Sequence, residues 1–256
     1  MMTKENPLTE RNHPVEVLEL YGPVLEKVTF LDDFNQASYG VNQNQIQARE
    51  GILNLFEECQ RRSEGIVAVI LAPMFAGKTT TICLLVKELR GMDVLVYKHQ
   101  LDLGRTGKKL VTNAGLSVEA NSYRSIWDID PETEVLIVDE FQFNEIDDLP
   151  RIEDFLRYRK ERGLLTVISQ LDFNFRREPW RTTETLVREA DQAFVLRSKC
   201  HSCGRPAEFI QRNIGGEPDH INSQEILVGA GNYYQARCWQ CQRVGGKPPS
   251  YLAGEK

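Results

Sequence analysis

Residues 65–91 read GIVAVILAPMFAGKTTTICLLVKELRG. The first eight, GIVAVILA (65–72), form a continuous apolar run rich in β-branched residues, the pattern of a strand buried on both faces. From Lys78 the pattern becomes helical, and Gly91 closes it. Between strand and helix, Ala72–Thr79 nearly matches the phosphate-loop pattern G-x-x-x-x-G-K-[ST], with alanine in place of the first glycine. Backbone N–H groups at a helix N-terminus, aided by the helix dipole, bind phosphate oxygens. In that reading Ala72, Pro73, Met74, Phe75 and Ala76 form the loop, and Gly77 allows close backbone approach. Lys78 reaches the β- and γ-phosphates of ATP, and Thr79 offers its hydroxyl to Mg2+. The plainer alternative is a strand-to-helix turn that happens to carry a lysine. G-K-T-T directly after a buried strand argues against it.

Outward from this unit, strands and helices alternate. Strands are expected at 93–98, 134–140 and 164–171, and helices at 146–163 and 181–191. Such alternation predicts a parallel sheet with helices on both faces, an α/β fold of the P-loop, RecA-like kind. Upstream, LEKVTFL (25–31) reads as a short strand. QIQAREGILNLFEECQRR (45–62) places Ile46, Ile52, Leu53, Leu55, Phe56 and Cys59 on one helical face, and Ser63-Glu64-Gly65 ends it. Four regions follow: an N-terminal extension (1–63) of unknown role, a nucleotide-binding domain (64–196), a cysteine-bearing lobe (197–243) and a flexible tail (244–256).

The chain's 256 residues are ample for a buried core, and 41% hydrophobic with 27% charged residues is ordinary for a soluble globular protein. A net charge of -6 makes a poor general binder of nucleic-acid backbones, so no nucleic-acid partner is expected. No apolar run has membrane-spanning length, and the polar start MMTKENPLTERNHPVEV lacks the apolar core of a signal peptide. A cytoplasmic location with no membrane partner is therefore expected.

Two further motifs carry chemistry. In LIVDEFQF, Asp139 ends a buried strand downstream of the phosphate loop, where a carboxylate would help hold Mg2+. Glu140 beside it could activate water for ATP hydrolysis or deprotonate a substrate hydroxyl. Cys200-x-x-Cys203 and Cys238-x-x-Cys241 have the spacing of two knuckles closing a tetrahedral four-cysteine site. Four thiolates suit Zn2+ in a closed, structural site, giving a small zinc-ribbon-like lobe. His201 competes poorly as a ligand with four cysteines available. Cys59 and Cys83 read as core residues.

In this order and spacing, the motifs resemble the class II (zinc-containing) thymidine kinases over roughly residues 66–243. Ala72–Thr79 is similar to the family's G-P-M-x-[SA]-G-K-[ST], and Asp139–Phe143 to the start of its D-E-x-Q-F-F. LDFNFRREPW resembles L-D-x-x-F-x-x-x-P-F, CHSCGRPAEFIQR resembles C-x-x-C-G-x-x-A-x-F-[TS]-x-R, and VGAGNYYQARCWQC resembles V-G-G-x-x-x-Y-x-x-x-C-R-x-C. The resemblance implies transfer of the ATP γ-phosphoryl to the 5′-hydroxyl of deoxythymidine, with deoxyuridine as a further substrate. It implies Glu140 as general base, with Gln142 beside it at the ATP/Mg2+ site. Met74, Phe143, Leu171, Phe175, Trp180, Ile210, Val228, Gly229 and Tyr234 match positions around the nucleoside, and a loop within 211–233 covers it. A homotetramer and feedback inhibition by dTTP also follow from the resemblance alone.

The sequence departs from the family at Ala72, at Trp180 for phenylalanine, at Phe141 for a small residue and at Trp239 for arginine. Ile210 stands for threonine or serine. The family's K-x-x-x-D-x-R is one residue longer here, as Lys98, Asp102 and Arg105, with Arg105 the candidate for stabilising charge on the transferred phosphoryl. Two other readings remain at this stage: a P-loop ATPase or nucleotide-responsive switch, and a catalytically silent binding module.

Overall fold

The structure is a computed structural model, and it describes residues 15–38, 41–227 and 233–247. Seven parallel strands form its centre: β1 (Val28–Leu31), β2 (Ile66–Leu71), β3 (Val94–His99), β4 (Asn121–Tyr123), β5 (Val135–Asp139), β6 (Leu165–Gln170) and β7 (Gln192–Leu196), in the spatial order β1-β7-β2-β6-β5-β3-β4. The expected α/β fold is present. The strand at 192–196 lies beyond the sequence expectations, as does the short polar strand at 121–123 on the opposite edge.

Strand β2 shows how the apolar runs build the core. All six residues are buried, and successive side chains point to opposite faces. Val67, Val69 and Leu71 join a cluster with Ile152 and Leu156 of α5 (Leu149–Glu161) and Leu186 and Val187 of α6 (Arg181–Glu189). Ile66, Ala68 and Ile70 face the other way, toward Ala48, Ile52 and Phe56 of α2 (Gln43–Arg62) and Ile82 and Leu85 of α3 (Lys78–Glu88). Two helical layers thus sandwich one sheet.

The N-terminal extension packs on the main domain. Val28–Leu31 pairs in parallel with Ala193–Leu196, so the N-terminal segment supplies an edge strand of the main sheet. Ahead of it, α1 (Val15–Tyr21) buries Val17 and Tyr21 completely. Residues 244–247, expected to belong to a flexible tail, pack on the lobe instead. Val244 is buried, and the Gly245 N–H donates to the Asp219 carbonyl at 2.9 Å.

Beyond the sheet, β8 (Phe209–Ile214) and β9 (Tyr234–Arg237) pair antiparallel in the cysteine-bearing lobe. Among the described residues no helix is long and apolar enough to cross a membrane.

Candidate active site

The phosphate loop and both acidic residues sit at the carboxyl ends of strands in the main sheet, where open α/β sheets bind ligands. Residues 72–79 carry the chain from β2 into α3. Ala72 is fully buried and does not take the left-handed conformation, so its methyl group is accommodated. The positive φ values fall instead on Phe75 (69°) and Gly77 (95°). A phenylalanine there is costly, about 1–2 kcal/mol. The exposed Phe75 ring packs on His201 of the cysteine lobe, with centroids 5.4 Å apart.

Lys78 opens α3 and is buried. Thr79 Oγ1 donates to Asp139 Oδ2 at 3.3 Å. A hydroxyl and a carboxylate meeting beside a phosphate loop form an oxygen donor set suited to Mg2+. Burial pushes the Asp139 carboxyl up, and Lys78 opposes the shift. Glu140 lies next along the chain in a left-handed conformation (φ 57°). Burial, then repulsion from Asp139, pushes its carboxyl up to about 7. The buried Gln142 bridges two parts of the site. Its Nε2 donates to Glu140 Oε2, and its Oε1 accepts from the Leu171 N–H at 3.2 Å. Glu140 is thereby held toward the end of β6.

Opposite the loop stands an apolar wall. Met74, Phe143, Leu171, Phe175, Trp180, Ile210 and Tyr234 belong to one cluster, joined by Ile221, Ile226 and Val244. Phe143 meets Trp180 edge to face, with centroids 6.1 Å apart. The wall, Glu140, Gln142 and the phosphate loop line one cleft of about 750 Å³. Its size and mixed lining suit a small molecule with an apolar ring and a polar end. The residues expected around a nucleoside are therefore brought together, except Val228 and Gly229, which lie outside the described residues.

Arg105 falls in α4 (Leu103–Thr106), and its side chain lies outside the described residues. The buried Lys98 supports that segment. It pairs with Asp102 Oδ2 at 2.8 Å and donates to Thr106 Oγ1 at 2.9 Å.

Arg212 holds the chain that follows β8. Its guanidinium donates to Asp219 Oδ2 (2.6 Å), the Gln224 carbonyl (2.5 Å) and the Glu225 carbonyl (3.0 Å). It also stacks 3.8 Å over the Phe175 ring. One buried cation thus ties residues 219–225 to the apolar wall. In the sequence this arginine stood out only as the last position of a resemblance motif.

Cys200, Cys203, Cys238 and Cys241 converge, with all four Sγ atoms within 4.8 Å of one another. The Cys203 and Cys238 sulfurs are 3.6 Å apart. Zn–S bonds of about 2.3 Å in a tetrahedron place sulfurs about 3.8 Å apart, so the cluster fits Zn2+. Both knuckles are formed: the Gly204 N–H donates to the Cys200 carbonyl (2.9 Å), and the Cys241 N–H to the Cys238 carbonyl (3.0 Å). His201 stands outside the cluster, its Nδ1 accepting from the Ala236 N–H at 3.1 Å.

The sequence model of the thymidine kinase family matches residues 65–242. A thymidine kinase of Pyrobaculum aerophilum is 33% identical over 182 residues, spanning 68% of this chain and 96% of that protein. Among solved structures, Bacteroides Pif1 bound to single-stranded DNA aligns with a TM-score of 0.31 at 20% identity, over 50% of this chain and 32% of that one.

Proposed function

This chain belongs to the thymidine kinase family, and on that premise we propose how its residues transfer the γ-phosphoryl group of ATP to the 5′-hydroxyl of deoxythymidine. The products are dTMP and ADP. The observation that carries the reading is the single cleft shared by the phosphate loop, Glu140 beside Asp139, and the apolar wall.

The backbone of residues 72–79 receives the phosphates, with Lys78 balancing their charge. Thr79 and Asp139 would hold Mg2+, which neutralises charge on the phosphates when bound. Glu140 takes the proton of the 5′-hydroxyl. A carboxyl pushed up to about 7 is matched to a base working near neutral pH. Gln142 keeps Glu140 in place. Arg105 supports charge on the transferred group. Met74, Phe143, Leu171, Phe175, Trp180, Ile210 and Tyr234 enclose the base and sugar, and Val228 and Gly229 join this substrate set by family likeness alone. The four cysteines would hold a structural Zn2+, and the lobe they tie together carries Ile210 and Tyr234. A homotetramer, inhibition by dTTP, a cytoplasmic setting and use of deoxyuridine belong to this proposal by family likeness.

An ATPase or nucleotide-responsive switch is not favoured, because neither needs the apolar wall. Assaying transfer from γ-labelled ATP to each deoxynucleoside tests the reading. Labelled dTMP is expected, and Glu140→Gln should slow its formation about 100- to 10,000-fold. Phosphate release without any nucleoside product would favour the ATPase.

A further inference from the structure

Gln45 lies twenty residues before the segment matched by the family model, yet it touches the phosphate loop. We propose that Gln45 is a positioning residue for ATP: its side chain orients the Ala76–Gly77 peptide so that the Gly77 N–H faces the nucleotide. The inference rests on the reading of the loop as the ATP site.

Helix α2 begins with a reciprocal cap. The Gln45 N–H donates to Asn42 Oδ1 at 3.4 Å, and the Asn42 N–H donates to Gln45 Oε1 at 2.6 Å. The second bond commits Oε1 to the helix end. Nε2 is left pointing at the phosphate loop, where it donates to the Ala76 carbonyl at 2.9 Å. The amide orientation is fixed by its partners, because the flipped amide would set a donor against the Asn42 N–H and an acceptor against a carbonyl. Gln45 is buried, so this bond is shielded from water.

Gly77 makes the approach possible. A Cβ there would lie 2.2 Å from Gln45 Nε2. In a trans peptide the carbonyl and the following N–H point in opposite directions. Holding the Ala76 carbonyl toward α2 therefore turns the Gly77 N–H away from α2. Asn42 and Gln45 line the same cleft as Gly77, Lys78 and Thr79, so the start of α2 is also part of its wall.

The test compares Gln45→Glu, which keeps the Oε1 acceptor but loses the donor, with Gln45→Leu, which loses both. Gln47→Gly, on the exposed side of the same turn, is a control for weakening the helix alone. Titration with Mg2+–ATP in the absence of nucleoside, KM for ATP and for deoxythymidine, and Tm are measured on each. Both Gln45 variants should bind ATP about ten-fold more weakly while KM for deoxythymidine stays unchanged. Gln47→Gly should lower Tm without altering ATP binding. ATP binding equal to wild type in both Gln45 variants overturns the proposal, as does an equal loss in Gln47→Gly. Weakened ATP binding in a protein whose wild type phosphorylates no nucleoside would retain this inference and reject the proposed reaction.

Discussion

Tyr21 and Asp172 meet across 151 positions of chain: the Tyr21 hydroxyl donates to Asp172 Oδ2 at 3.2 Å. Arg197 Nη1 reaches the same oxygen at 3.3 Å, and the Phe173 N–H donates to Oδ1 at 3.1 Å. The side chains of Tyr21, Asp172 and Arg197 are all buried. Burial pushes the Asp172 carboxyl up, and Arg197 pulls it back. The aspartate directly follows Leu171 of the apolar wall, so α1 pins the base of the proposed substrate site.

Tyr21→Phe removes one partner of this buried acid and should destabilise the protein by about 1.5–3 kcal/mol. Arg197→Met leaves an uncompensated buried carboxyl and should cost more, about 3–5 kcal/mol. Urea unfolding at neutral pH measures both. Equal, negligible losses would mean that α1 is only laid against the sheet.

Much of this fold was legible because it rests on local patterns. The six apolar residues of β2, the change to helical spacing at Lys78 and the two cysteine pairs each declare themselves within a few positions. Contacts built from distant single residues were not. Gln45 sits in a polar stretch that carries no motif, and its role depends on where residue 76 lies in space. Tyr21, Asp172 and Arg197 come from three segments with no shared spacing. Strand β7 is separated from α6 by only two residues, and its short apolar run, Ala193–Leu196, carries little signal of its own. The wall residues were gathered by motif resemblance, since no periodicity links Met74 to Tyr234.

Glu140 should trade stability for readiness. Its carboxyl is raised from the ordinary carboxylate range to about 7. A raised value favours the protonated acid in the fold. Its contribution is therefore fully present below the unfolded value and lost as pH rises through about 7. In Mg2+-free buffer without nucleotide, Glu140→Gln should raise Tm at pH 8.5 and change it much less at pH 5. Calorimetry at the two pH values checks this. The opposite ordering would mean that Glu140 is stabilised as the anion.

The cysteine lobe should unfold without its metal. Metal analysis should find one Zn2+ per chain, bound tightly enough to survive gel filtration. Cys238→Ser should release it, because the buried Cys238 is one of the four converging thiols. Strands β8 and β9 would lose their anchor, and with them Ile210 and Tyr234. KM for deoxythymidine should rise sharply while ATP binding at the phosphate loop persists. Full thymidine turnover in metal-free Cys238→Ser would remove the lobe from substrate binding.

Ile210 should set tolerance at the pyrimidine 5-position. It is buried in the wall with Leu171, Phe175 and Trp180, and it lines the cleft. A branched apolar side chain in place of a small hydroxyl-bearing one narrows the slot for a 5-substituent. Ile210→Thr opens that space, and one methylene of fit in such a pocket changes discrimination about 10- to 200-fold. The kcat/KM of bulky 5-substituted deoxyuridines should therefore rise relative to deoxythymidine, with the kcat/KM of deoxyuridine as the reference for a substrate that fills no space there. Because the hydroxyl adds a polar atom as well as removing volume, Ile210→Val serves as the apolar companion and should move the same ratio in the same direction, less far. An unchanged ranking of the three substrates in both variants would show that the 5-position is read elsewhere in the cleft.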